Sequence, residues 1–311
     1  MERIWGGRRL ETEFGKKLPP DKSIGESWEM VDRPEARSAV ANAPLKGKTL
    51  HDLWTQDRSA RRTDSSRGKQ LVFGNVPDSD RFPLLVKLLD AHDKLSLQVH
   101  PTEEVAKTLG GEAKTEFWYV AAAGPEAEIF VGLRKSMTRA EFRQALERGE
   151  ISDHVHRIRI KPGDAMFLPA GRFHAVGAGA LLIEIQQNSD TTYRVFDWNR
   201  VDESGKPRKL HIDEALQSID FNDVAPTLIE PKGELLVQHN LFEIRKWNLD
   251  RPREIASHGQ FAIVCCLTGS LRCADVDLAP GGFFLVPAAL QDRQLHPREN
   301  GTSLLRVTIP M

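Results

Sequence analysis

Leu95 to His100 reads LSLQVH. As a strand, its period-2 alternation turns Ser96, Gln98 and His100 to one face and Leu95, Leu97 and Val99 to the other. One face is then apolar and the other carries groups able to bind a metal. Two more stretches extend the reading. In KTE, Lys114 to Glu116, the glutamate opens the β-like run EFWYV; in LPAGRFH, Leu168 to His174, a turn rich in Pro and Gly delivers the histidine. From three strands, Gln98, His100, Glu116 and His174 can converge inside a barrel as a metal site. The donor types suit that role. Neutral imidazoles favour zinc and its neighbours, a carboxylate offsets charge, and an amide oxygen adds a neutral ligand while leaving a position for water or a substrate oxygen. Taken singly, each histidine would read as a hydrogen-bonded core residue.

Working outward, strand-like runs follow one another from Phe82: FPLLVKLLD, KLSLQVH, EFWYVAA, AEIFVGL, HRIRI, AMFLPA and ALLIEIQQ, with turn residues between them. Two helical patterns interrupt, TEEVAKTL after Pro101 and TRAEFRQALERG from Thr138, the second with Thr138 as cap and Glu141 three positions on. Many short strands with few helices predict a closed or sandwiched antiparallel β architecture. Residues 1–80 are rich in Pro, Gly and charge; KKLPPDKSIGESWEM and TQDRSARRTDSSRGKQ read as loops, and the segment as an arm packed on the core. Residues 81–232 form the metal-binding barrel. Residues 233–311 form a second barrel that echoes the first. The spacing of Gly163, Pro169, Gly171 and His174 returns as Gly281, Pro287, Ala289 and Asp292, and EFWYVAAAG returns as QFAIVCCLTG with Gln or Phe near the place of the glutamate. The repeat keeps the fold and loses the ligands.

The 43 basic and 44 acidic residues give a formal net charge of −1, so nothing global attracts nucleic acid or an anionic membrane, and an anionic substrate must meet local cations. No apolar run approaches the ~20 residues that span a bilayer. The amino terminus, MERIWGGRRLETEFGKK, has charges where a signal peptide needs its apolar region, so a cytoplasmic location is expected. Cys265, Cys266 and Cys273 have neither disulfide-framework nor zinc-finger spacing and read as reduced, buried residues. GGRRL and GGEAK lack P-loop spacing, which argues against a nucleotide site.

The spacing G-x5-P-x-G-x2-H at Gly163 to His174 resembles the second cupin signature, and QVH followed by a glutamate on the next strand is similar to the first. Four stretches narrow the resemblance: ERIWGGRRL, FPLLVKLLDAHDKLSLQVHP, KTEFWYV and LLIEIQQNSDTTYRVFDWNR. Together they resemble the class I mannose-6-phosphate isomerases in their short bacterial form. The likeness runs over most of residues 2–200 and, more weakly, the C-terminal block. It implies a mostly β fold of two cupin-like jelly-roll barrels with a few short helices. It also implies one zinc per chain on Gln98, His100, Glu116 and His174, Arg194 in the active site, and Lys87, Lys114, Glu184 and Asp190 near the sugar. Longer relatives read HKPE where this chain reads AKTE, so Ala113 lacks an imidazole.

Aldose–ketose isomerisation moves a proton between C2 and C1 through a cis-enediolate, which a metal and a cation such as Arg194 can stabilise. Lys87 or Lys114, desolvated near a dication, would have a depressed pKa and could move the proton; Glu184 and Asp190 are the carboxylate alternatives. Lys87 also reads as a snorkelling surface lysine, Asp190 as a turn residue, Glu184 as half of a structural ion pair, and Arg194 as a structural partner of Asp197 or Asp190. Candidates for the phosphate are Arg194, Arg200, Arg8, Arg9 and Lys94. The expected partner is a small sugar phosphate, with no nucleic acid or membrane, for a monomer or small homo-oligomer. Two other classes compete: an iron-dependent cupin dioxygenase and a non-enzymatic sugar-binding cupin.

Overall fold

The computed structural model describes residues 1–63, 72–74, 76, 78–201 and 205–310. These residues form two compact units. Residues 1–10, 18–28 and 85–229 make the first; residues 11–17, 29–84 and 230–311 make the second. Among the described residues, no helix is long and apolar enough to cross a membrane.

The first unit is built on two five-stranded sheets, the double-sheet form of a jelly roll. One orders its strands as Ala165–Leu168, Glu116–Ala123, Ala180–Gln187, Leu84–Ala91 and Glu26–Met30. The other runs Tyr193–Phe196, Leu97–Val99, His174–Val176, Glu128–Leu133 and Val155–Arg159. Alternation along these strands decides what lies between the sheets. Leu89, Trp118 and Leu182 from the first sheet share one buried cluster with Ile129, Val131 and Val176 from the second. The far face of the second sheet is apolar as well. There Leu97, Val99, Phe130 and Phe173 pack with Phe142 and Ala145 of the helix Arg139–Glu147 and with Ala215 and Leu216 of the helix Ile212–Ser218.

The LSLQVH alternation is therefore present with one change. Leu97 and Val99 face the helices, but Leu95 precedes the strand and joins the inner cluster, its amide donating to Val176 O at 2.9 Å. The predicted helix cap at Thr138 forms. Thr138 Oγ1 accepts from Glu141 N at 3.2 Å while Glu141 Oε2 accepts from Thr138 N at 2.6 Å, a capping box. The helix Glu103–Leu109, capped by Thr102 and ended by Gly110 at φ +74°, fills the connection between His100 and Lys114.

Two stretches read as loops are ordered otherwise. ESWEM is the strand Glu26–Met30, buried at its two ends, and it follows directly on the Pro-rich segment before it. In TQDRSARRTDSSRGKQ, Thr55 to Thr63 complete the helix Leu50–Thr63, whose Trp54 packs edge-on against Phe73 with ring centroids 5.0 Å apart, while 64–70 lies outside the described residues. Burial of that ring outweighs the weak apolar periodicity of the helix, since a large aromatic buries 150–250 Å² at about 25 cal/mol/Å².

The second unit repeats the strand order. Its larger sheet runs Leu235–Gln238, Glu243–Leu249, Thr302–Thr308, Ala262–Thr268 and Phe283–Val286; its smaller one runs Arg253–Glu254, Gln294–Pro297, Leu271–Cys273 and Val276–Leu278. The glycine turns correspond too. Gly163 N donates to Val120 O and Gly281 N to Cys266 O, both at 2.9 Å, with φ of +94° and +70° that a side chain would resist. Register locates what replaced each ligand. Ala262 pairs with Val286 as Glu116 pairs with Leu168, so alanine, and neither Gln260 nor Phe261, stands in the glutamate's place. Asp292 is not the counterpart of a buried histidine: it is exposed, and buried Arg293 follows it. Cys265, Cys266 and Cys273 are free thiols in the interior, where burial pushes Cys266 up to about 12.

Candidate metal centre

His100, Glu116 and His174 each offer a ligand atom within 4.8 Å of the others, and all three are buried. The sheets bring them together from both sides. Glu116 opens one strand of the first sheet, His174 opens a strand of the second, and His100 follows the strand Leu97–Val99 beside it. His100 Nε2 lies 3.3 Å from Glu116 Oε1, and His174 Nε2 lies 3.7 Å from Glu116 Oε2. The opposite ring nitrogens are spoken for: His100 Nδ1 donates to Thr191 O and His174 Nδ1 to Arg172 O, each at 2.9 Å. A neutral imidazole with its proton on Nδ1 presents the Nε2 lone pair, so both rings are oriented as ligands. Gln98 pairs directly with His174 in register and stands at the edge of the group, its Nε2 3.4 Å from His174 Nε2. The side-chain amide oxygen and nitrogen exchange by a half-turn.

The electrostatics match. Burial, then the charge on His100, pulls the His174 pKa down to about 3, and burial with Lys114 lowers that of His100, so both stay neutral. Burial would raise the Glu116 pKa, but Lys114 and His100 hold it well below the usual range. Neither Glu116 oxygen has a hydrogen bond of normal geometry, although Lys114 Nζ lies 2.9 Å from Oε1. A buried carboxylate in that condition, facing two imidazole lone pairs, fits a divalent cation.

The remaining candidates sort by position. Lys87 and Glu184 face each other in the interior, Nζ to Oε2 3.2 Å, with Glu184 Oε1 accepting from Trp118 Nε1 at 2.9 Å. Burial works to lower the Lys87 pKa, but Glu184 and Glu26 raise it above the ordinary value. The expectation of a depressed lysine pKa is thus reversed at Lys87, because two carboxylates outweigh desolvation there. It is also buried rather than snorkelling. Burial and the charge on Glu116 instead raise the pKa of Glu184. Asp190 is exposed, close enough to Lys87 and Arg3 to act on both.

Arg194 pairs in register with Gln98, which pairs with His174, so the three lie in one row across the sheet. Its Nη1 donates to Lys209 O at 2.9 Å, and its Nε is buried without a partner. The carboxylate of Asp197 is held by Arg200 and Arg208, each at 2.6 Å. Among the phosphate candidates, Arg9 donates to Gly179 O at 2.9 Å, at the opposite end of the strand that carries Glu184, and Lys94 sits 4.2 Å over the Trp198 ring.

The family model for the catalytic domain of type I phosphomannose isomerase matches residues 1–145. A probable mannose-6-phosphate isomerase of Bacillus subtilis, GmuF, is 37% identical over 92% of this chain and 90% of its own, and the mannose-6-phosphate isomerase ManA of the same organism is 35% identical over 95% and 90%. The chain belongs to the type I phosphomannose isomerases. The crystal structure of the B. subtilis mannose 6-phosphate isomerase superposes with a TM-score of 0.83 at 35% identity, covering 99% of this chain and 96% of that one. A structure from Archaeoglobus fulgidus shares the fold at 20% identity with a TM-score of 0.76, covering 100% and 95%.

In this chain the wall behind Lys87 includes residues that motif reading passed over. Glu26 accepts from Arg3 Nε and from Trp28 Nε1, each at 2.8 Å, and the Lys87 ammonium lies 5.3 Å from the Trp28 ring centroid. Burial opposes the charge on Glu26, but Lys87 and then Arg3 pull its pKa down to about 2. Trp118 joins the two halves, bonding Glu184 and meeting the His174 ring edge-on at 5.4 Å. Its alternation with Glu116 and Val120 was a usable signal; nothing local in ESWEM marks Glu26 as a partner of Lys87.

Proposed function

We propose that this chain is a mannose-6-phosphate isomerase that interconverts mannose 6-phosphate and fructose 6-phosphate, with one zinc ion held by Gln98, His100, Glu116 and His174. The carrying observation is the convergence of two neutral imidazoles and an unsatisfied carboxylate beside the buried Lys87–Glu184 pair. Two nitrogen donors and a carboxylate, with an amide able to complete four, are the donor set zinc prefers at an open site. Bound there, the ion would supply Lewis acidity toward negative charge developing on substrate oxygens.

The chain's own residues supply the rest. Glu184, whose pKa burial and the charge on Glu116 raise above the ordinary carboxylate value, is the group suited to take the proton from one sugar carbon and return it to the next. Lys87 stays charged, so it serves as a fixed cation beside Glu184 and the sugar oxygens rather than as a base. Lys114 sets the charge state of Glu116, and exposed Asp190 would accept from a sugar hydroxyl. Arg194, in the ligand row, offers a guanidinium to charge that develops on the reacting oxygens.

A coupled assay with mannose 6-phosphate tests this reading. Turnover should vanish on chelation and return with zinc. Absence of turnover by protein shown to carry stoichiometric metal would overturn it.

A further inference from the structure

The second unit has a cavity on the strands that answer to those of the Lys87–Glu184 pair, and arginines outnumber glutamates in its lining. Its walls come from the strands Glu243–Leu249, Thr302–Thr308 and Arg253–Glu254. By strand order these correspond to the strands that carry Lys87, Glu184 and Gln98. The register makes the exchange specific: Arg306 pairs with Val264 as Glu184 pairs with Trp118, so a buried guanidinium occupies the glutamate's position. We infer that this cavity, of about 400 Å³ and lined by Arg245, Arg253 and Arg306 with Trp247, Glu243 and Glu254, is a binding site for a phosphate monoester.

Three observations support an anion there. Glu243 is shared between two arginines, 2.8 Å from Arg245 Nε and 3.1 Å from Arg306 Nη1, which leaves one positive charge of that pair uncompensated. Burial lowers the Arg306 pKa, and the neighbouring Arg245 and Arg253 lower it further against the pull of Glu243. Trp247, only 4% exposed, has its indole N–H buried without an acceptor, while Arg253 stacks 3.7 Å from its ring centroid. A buried donor without an acceptor is costly, and an anionic oxygen would satisfy it. Glu234 pairs with Arg253 through both carboxylate oxygens, and Glu243 does the same with Arg245, so the surplus positive charge at the cavity is the one that Arg306 brings, a guanidinium suited to the oxygens of a phosphate group. The choice of phosphate over other anions rests on the proposed isomerase reading, whose substrate and product both carry that group; the cationic cavity stands apart from it.

The test follows the indole N–H resonances of the zinc-loaded protein by NMR, with Trp247→Phe used only to assign the Trp247 signal. Inorganic phosphate, fructose 6-phosphate and fructose are titrated in turn. The Trp247 signal should move saturably with the two phosphates and stay still with fructose. In the Arg245→Ala/Arg253→Ala variant, both half-exposed arginines belonging to the second unit, affinity should fall about tenfold or more while the Trp118 signal responds to fructose 6-phosphate as before. A Trp247 signal unmoved by either phosphate at ~10 mM, or one that moves equally in the double variant, overturns the site. A response to inorganic phosphate in protein that shows no isomerase turnover would sustain the site and remove only its link to the substrate.

Discussion

Glu26 is held by three partners at once, Arg3, Trp28 and the charge on Lys87, and its charge state follows from them. A carboxyl ordinarily near 4.5 and pulled to about 2 contributes stability that is complete above the higher value and is lost as pH falls toward the lower one. The contribution at neutral pH is of order 3 kcal/mol. Glu26→Gln should therefore lower stability by about 2–3 kcal/mol at pH 7, and its deficit against the parent should narrow by about 1 kcal/mol between about pH 5 and 3.5. Urea midpoints at the two pH values measure this; a deficit that does not change with pH would mean that Glu26 acts through packing alone. At Arg194 the prediction concerns chemistry. Arg194→Lys should keep its zinc and its melting temperature yet lose about a hundredfold in turnover, the scale of one preorganised transition-state donor. Lost stability with near-normal turnover would remove Arg194 from the reacting group. Removal of a ligand is harsher: His174→Ala should lose both bound zinc and nearly all activity, since the remaining donors leave the site open.

At the level of elements, the strand Glu2–Gly7 is what carries Arg3 to Glu26, and it lies so close to the next segment that only glycine fits. A Cβ on Gly6 would meet Gly25 N at 2.4 Å and Ile24 C at 2.6 Å, both backbone atoms that cannot swing away. Gly6→Ala should cost about 1–3 kcal/mol as an overpacking change and lower turnover with it, by loosening Arg3 and hence Glu26 and Lys87. Gly124→Ala is the control, because the nearest atom to its Cβ lies 3.8 Å away, an ordinary contact. Equal melting temperatures for the two variants would show that the close approach does not constrain the fold. Helices were read with uneven success at this scale. Thr138 with Glu141 announces its helix locally, whereas Leu50–Thr63 is held by Trp54 packing on Phe73, a partner that no local pattern names.

Across the whole molecule, one strand order is used twice with different contents. Glu116 and Glu184 in the first unit answer to Ala262 and Arg306 in the second, so the candidate metal ligands reside in one copy of the fold. Asp292→Ala should accordingly leave turnover and zinc content unchanged and alter stability by no more than about 0.5 kcal/mol, as an exposed residue removed from both cores. A large fall in turnover at normal zinc content would mean that the catalytic half has been misassigned. The strand runs, the Gly-x5-Pro turns and the meeting of His100, Glu116 and His174 were legible in the amino-acid order because period-2 alternation and turn chemistry are local properties. Tertiary structure alone decided the charge on Lys87, which depends on Glu184 and Glu26 from other strands, the outward position of Asp292, and the exchange of Glu184 for Arg306. The physical reason is that pKa and burial are set by whatever stands across the sheet, and register, not sequence distance, chooses those neighbours.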